Sequence, residues 1–239
     1  MTVEAVLFDA GETLLSPHPS FAHVFSEVLT ERGSGVTPED VSRAFARVAP
    51  LFPPQQVVDE MDGGLWSVSE QVSRKFWGAV YTSAFQEMGV TDDGTFVDAL
   101  YERFTRFESY RLFPDVLPAL EGLRASGIKV GLISNFESWL KDMLEHWGIH
   151  DVFDVAVISG IEGIEKPDPK IFNVALERMG VTAEVSAYVG DHPEIDVVGS
   201  EAVGMLGILI DRKERHTDHK GVRITDLGSL QAALNGPRA

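Results

Sequence analysis

Ala5–Leu15 reads AVLFDAGETLL. The apolar run Ala5–Phe8 has the length and composition of a buried strand, and it stops at a carboxylate, Asp9. Gly11, Glu12 and Thr13 follow as a polar turn. A buried strand that ends in a polar loop is the opening half of a βα unit. In an open parallel sheet, ligands bind beyond the carboxyl ends of such strands.

Further runs of this kind lie downstream. Lys129–Ile133, Phe153–Ile158, Ala187–Val189 and Met205–Ile210 read as strands. Helical patterns separate them: Val116–Ser126, Trp139–Trp147, Pro169–Met179 and Ile195–Val203, each followed by a glycine suited to ending a helix. Alternating strands and helices predict an α/β fold, a Rossmann-like parallel-sheet core of three layers with helices on both faces.

Residues 17–113 interrupt that alternation. Phe21–Arg32, Thr37–Val48, Trp66–Met88 and Thr95–Ser109 have helical spacing, and Thr37 with Pro38 is a helix start. No strand is expected in this stretch, and Leu51–Gly64 reads as a Pro/Gly-rich loop. The expected organisation is a core made of residues 1–16 and 114–239, with an all-helical cap domain, 17–113, inserted. Most of the cap aromatics, Phe21, Phe25, Phe45, Phe76, Trp77, Phe85, Phe104 and Phe107, fall at core spacing.

The chain has 239 residues, 44% hydrophobic and 24% charged, with a formal net charge of −17 and no cysteine. That charge argues against nucleic-acid and anionic-membrane partners. It also means that an anionic substrate needs a local cation. The missing cysteines rule out disulfides and thiolate metal sites and suit a reducing, cytoplasmic setting. No run approaches the length of a membrane span. Nothing in the sequence sets the oligomeric state.

Four polar positions fall at the ends of predicted strands or soon after: Asp9; Ser134 with Asn135, closing GLISN; Lys166 in EKPDPKIF; and Asp191 in GDHPEID, with Asp196 five residues on. Taken singly, each has an ordinary role as a cap, a turn residue or a solvated charge. Taken together they compose a phosphoryl-transfer site. Asp9 is placed to attack phosphorus. Asp9 and Asp191 offer the oxygen ligands that Mg²⁺ takes. Ser134 can hydrogen-bond a phosphate, and Lys166 balances the negative charge.

FDAGETL, ISN, KPDP and GDxxxxD, in this order, resemble the four motifs of the haloacid dehalogenase-like hydrolase superfamily, in its branch with a helical cap inserted after the first motif. The likeness spans roughly Val3 to Ile210. It implies a phosphatase-like hydrolase of a small phosphorylated metabolite. Asp9 would be nucleophile and metal ligand, Ser134 the phosphate-binding hydroxyl, Lys166 the phosphate clamp and Asp191 a metal carboxylate. Asp196 would hold the metal's water shell, and the Gly11 carbonyl would be a further ligand.

The departure lies at Gly11, where phosphatases of this family carry an aspartate as general acid and base. Glycine has no proton to give, and such help contributes about 10²- to 10⁴-fold in rate. Glu12 is the neighbouring candidate substitute. Two other readings follow. One is a phosphate-ligand-binding pseudo-enzyme. The other is dehalogenase- or phosphonatase-type hydrolysis at Asp9, the latter needing a Schiff-base lysine, for which Lys75 is the cap's single candidate.

Overall fold

A computed structural model of the chain describes residues 2–48 and 65–236, so the Leu51–Gly64 loop lies outside the described residues. Two compact units emerge, one of residues 1–15 and 112–239, the other of residues 16–111.

The first unit is built on six parallel strands: β1 (Ala5–Phe8), β4 (Lys129–Ser134), β5 (Val155–Ile158), β6 (Ser186–Gly190), β7 (Leu206–Ile210) and β8 (Val222–Ile224). Their order across the sheet is β5-β4-β1-β6-β7-β8. The α/β class and the parallel core are as the sequence predicts. β8 is an addition. With three residues and Arg223 at its centre, it lacks the apolar run that reveals its neighbours.

β1 is the hinge of this topology. It pairs with β4 on one side and β6 on the other, with Phe8 level with both Leu132 and Val189. Strand order reverses here, and the reversal opens a crevice above the carboxyl ends of β1, β4 and β6. Every residue of β1 is buried, as expected for a strand covered on both faces. One side of the core is a cluster of Leu7, Ile133, Phe172, Leu176, Tyr188 and Met179. Helix Pro169–Met179 supplies three of these. It starts with Asp168 as N-cap, its side chain accepting from Lys170 N, and ends at Gly180 in the left-handed conformation.

The second unit contains helices Phe21–Thr30, Pro38–Val48, Glu70–Met88 and Phe96–Phe104. Thr37 and Asp40 cap the second of these reciprocally: Asp40 N donates to Thr37 Oγ1 at 3.2 Å and Thr37 N to Asp40 Oδ2 at 2.9 Å. An aromatic core joins the helices, with Phe21 stacked on Phe104 at 4.8 Å and Phe25 edge-on to Phe45 at 5.4 Å.

Two features correct the sequence reading. Tyr110–Leu112 is a strand, β3, in a stretch where none was expected, and it pairs with β2 (Leu15–Pro17). Three residues are too few to show a two-residue period. The helix expected over Ile195–Val203 is instead a π-helical turn, Pro193–Val198, followed by Gly199–Glu201 in α-helical form. π-turns are rare and gather at functional sites. Among the described residues, no helix is long and apolar enough to cross a membrane.

Candidate active site

The crevice collects the predicted polar positions. Asp9 stands one residue beyond β1, and its N–H donates to Val189 O at 2.9 Å, so the sheet ladder still holds its main chain. Ser134 ends β4 on the adjacent strand, and its hydroxyl donates to Asp9 Oδ1 at 3.0 Å. Lys166 Nζ reaches the same oxygen at 2.8 Å. Both donors converge on Oδ1, and no donor among the described residues reaches Oδ2.

Lys166 is only 2% exposed, and all three of its ammonium protons are occupied. Besides Asp9 it donates to Asp196 Oδ1 at 2.7 Å and to the Tyr188 hydroxyl at 2.7 Å. Burial opposes its charge, but Asp196 and Asp9 outweigh burial and hold the ammonium above its ordinary range.

Asn135, the candidate substrate-binding neighbour of Ser134, brackets the Lys166 main chain with its amide, Oδ1 accepting from Lys166 N at 2.7 Å and Nδ2 donating to Lys166 O at 2.8 Å. Next to it, Phe136 N donates to Ser159 Oγ at 2.9 Å and ties the same loop to the end of β5.

The π-turn explains how Asp196 enters the site. It carries the carboxylate back over the end of β6, where Oδ2 accepts from His192 N at 2.9 Å. This close approach requires glycine at 190, because a Cβ there would stand 2.4 Å from the Asp196 carboxyl carbon.

Asp9, Asp191 and Asp196 each place a carboxylate oxygen within 4.8 Å of the others. Asp191 accepts no hydrogen bond among the described residues. Burial first, and then the charges of Asp196 and Asp9, push its carboxyl well above the ordinary value of 3.8. Burial likewise raises Asp9, Lys166 opposing and Asp196 assisting. The Gly11 carbonyl also accepts no hydrogen bond among the described residues. Crowded carboxylates with unused oxygen lone pairs are a donor set suited to a hard divalent cation, whose charge would reverse that upward push.

Glu12 is placed differently from the rest. It adopts φ 52°, unusual for a residue with a side chain, and its carboxylate pairs with Lys213 from the loop after β7. Gly11 beside it is open: a Cβ built there meets nothing within 4 Å.

Sequence reasoning overlooked that β7–β8 loop. Arg212 makes a bidentate pair with Asp115 at 2.9 and 3.0 Å, donates to the Thr13 carbonyl at 2.8 Å and covers the Phe113 ring at 3.9 Å. It thus fixes the turn after Asp9 from a position about two hundred residues along the chain. A basic residue in a polar loop gives no hint of that partner. Tyr188 was overlooked as well, because a tyrosine inside an apolar strand reads as core.

An open, all-parallel sheet with carboxylates and a buried lysine at the ends of its central strands is the architecture of an α/β enzyme. The model of the haloacid dehalogenase-like hydrolase family matches residues 3–204. The chain belongs to that family and is a hydrolase. Among its relatives, haloacid dehalogenase-like hydrolase domain-containing protein 3 of Danio rerio is 30% identical over 224 residues, 91% of this chain and 88% of that protein. A phosphoserine phosphatase of Thermus thermophilus is 29% identical over 242 residues, 94% of this chain and 96% of that protein. A solved structure of a HAD phosphatase from Thermococcus onnurineus superposes with a TM-score of 0.62 at 25% identity, over 99% of this chain and 100% of that one.

Proposed function

We propose that the chain hydrolyses a small phosphomonoester through an aspartyl-phosphate at Asp9, with Mg²⁺ as cofactor. One observation carries the reading: Ser134 and Lys166 both hold Asp9 Oδ1, and no donor among the described residues takes Oδ2. The phosphatase relative that spans nearly the whole chain supports the substrate class.

Asp9 Oδ2 attacks phosphorus. The new P–Oδ2 bond forms as the bond to the alcohol oxygen breaks, and the electron pair leaves on that oxygen, which takes a proton from Glu12 or from water. Water then adds to phosphorus and gives its proton to the group that protonated the alcohol, Glu12 or water, the P–Oδ2 bond breaks with its electrons returning to Asp9, and phosphate departs. Lys166 offsets charge on Asp9 throughout, and Ser134 fixes the carboxylate's rotation. Asp9, Asp191, Asp196 and the Gly11 carbonyl would hold Mg²⁺, which when bound screens the repulsion between carboxylate and phosphate. The helical unit, inserted directly after the Asp9 turn, is assigned the choice of substrate as a cap.

The test is a panel of phosphomonoesters with Mg²⁺ or with chelator, beside a panel of 2-haloacids. Magnesium-dependent phosphate release supports the reading. Metal-independent halide release overturns it in favour of dehalogenation.

Gly11 favours a second reading, a protein that binds a phosphorylated ligand without turning it over. Under that reading, phosphorylated metabolites raise the melting temperature while no phosphate appears at saturating Mg²⁺.

A further inference from the structure

Tyr188 lies inside the sheet, on β6, with its ring edge-on to Phe172 at 5.3 Å. Its hydroxyl is fully engaged. It donates to the Ile133 carbonyl at 2.6 Å and accepts from Lys166 Nζ at 2.7 Å. Ile133 directly precedes Ser134, so one phenol joins the strand that carries the serine to the lysine that grips Asp9. An ammonium has three donors, and here the third is taken by Tyr188, the other two by Asp9 and Asp196. A lysine held this way cannot swing toward a phosphoryl group without abandoning one of these partners.

From this geometry we infer that Tyr188 is a positioning residue, which locks the Lys166 ammonium between Asp9 and Asp196 so that the lysine acts on the nucleophile rather than as a mobile clamp on the phosphate. The inference rests on the proposed role of Asp9. The phenol fixes the height of the ammonium above the sheet, and the two carboxylates fix its direction. Without the hydroxyl, the ring still fills its place against Phe172. The lysine gains a free N–H and can rise toward the crevice, and Asp9 loses its fixed aim. A misplacement of about 1 Å in a catalytic pair costs about 10²-fold in rate.

Tyr188→Phe tests this in the full chain. Two measurements are made: turnover of p-nitrophenyl phosphate, and calorimetric binding of beryllofluoride with Mg²⁺ as a mimic of the phosphorylated aspartate. Rates are normalised to the beryllofluoride stoichiometry, so a misfolded fraction does not count as a lowered kcat. The expected result is a kcat per site about 10- to 100-fold lower with KM within about twofold, and weaker beryllofluoride binding. Unchanged kcat per site and unchanged beryllofluoride affinity overturn the inference, whatever happens to the melting temperature. So does a rise in KM at constant kcat, which would make the tyrosine a substrate-binding group. If the unmodified protein shows no turnover but Tyr188→Phe still weakens beryllofluoride binding, the positioning role stands and the phosphatase reading falls. If the unmodified protein turns over and Tyr188→Phe matches it in both measurements, the reverse holds.

Discussion

Lys166 Nζ stands 2.8 Å from Asp9 Oδ1, in a lysine that is 2% exposed. The pair is buried as a charge cluster, with Asp196 as the second carboxylate on the same ammonium. Such clusters are held together by mutual compensation, so removal of one member costs more than the pair itself contributes. Lys166→Met keeps much of the volume and deletes the charge. It should lower stability by about 3–5 kcal/mol, or roughly 6–20 °C in melting temperature for a chain of this size. Thermal unfolding at neutral pH checks this, and a melting temperature that hardly moves would show that the carboxylates find relief elsewhere.

Asp191 gives the opposite sign. Burial and the charges of Asp196 and Asp9 hold its carboxyl well above 3.8 in the folded protein. The folded state therefore binds that proton more tightly than the unfolded state does. Stability from this group is present below the ordinary value and is lost as pH rises through the raised one. Metal-free Asp191→Asn should thus be more stable than the parent at neutral pH, by about 1 kcal/mol or 2–4 °C. The advantage should shrink as the pH falls toward about 4. Saturating Mg²⁺ should reverse the order, because only the parent keeps the full ligand set. Melting curves across pH, with and without the metal, read all three effects.

Gly11 has room for a side chain and an ordinary φ. Gly11→Asp should place a carboxylic acid where the leaving oxygen departs, and should raise kcat on alkyl phosphates by about 10-fold or more. The gain should be smaller on p-nitrophenyl phosphate, whose leaving group needs no proton. Equal, small effects on both substrates would mean that proton transfer does not limit the reaction.

Glu12 carries the complementary prediction. Its carboxylate pairs with Lys213, three residues from the end of β7. Glu12→Gln should slow alkyl phosphate hydrolysis by about 10-fold or more and leave inhibition by inorganic phosphate unchanged. Equal rates in the two proteins would assign the proton to water.

β1 was legible to the residue, because Ala5–Phe8 is buried on both faces and is therefore apolar at every position. β2, β3 and β8 are three residues each, too short for a pattern, and their pairing is decided by neighbours distant in the chain. Asp9, Ser134 and Asp191 end strands or directly follow them and Lys166 comes after β5, so their approach to one crevice could be anticipated from the order of elements. The contacts of Asn135 and Tyr188 could not be read. Both act on Lys166 through space, 31 and 22 residues away in sequence. The π-turn that delivers Asp196 was also hidden, because hydrogen-bond spacings of four and five residues leave similar patterns over so short a span.

The central claim is that Asp9 forms the covalent bond to phosphorus. Its most direct test is the rate of phosphate release from a phosphomonoester panel at saturating Mg²⁺, measured for the parent and Asp9→Asn side by side. Turnover is expected in the parent and none above background in Asp9→Asn, which keeps the shape of the side chain and loses the nucleophile. Undiminished phosphate release from Asp9→Asn would contradict it.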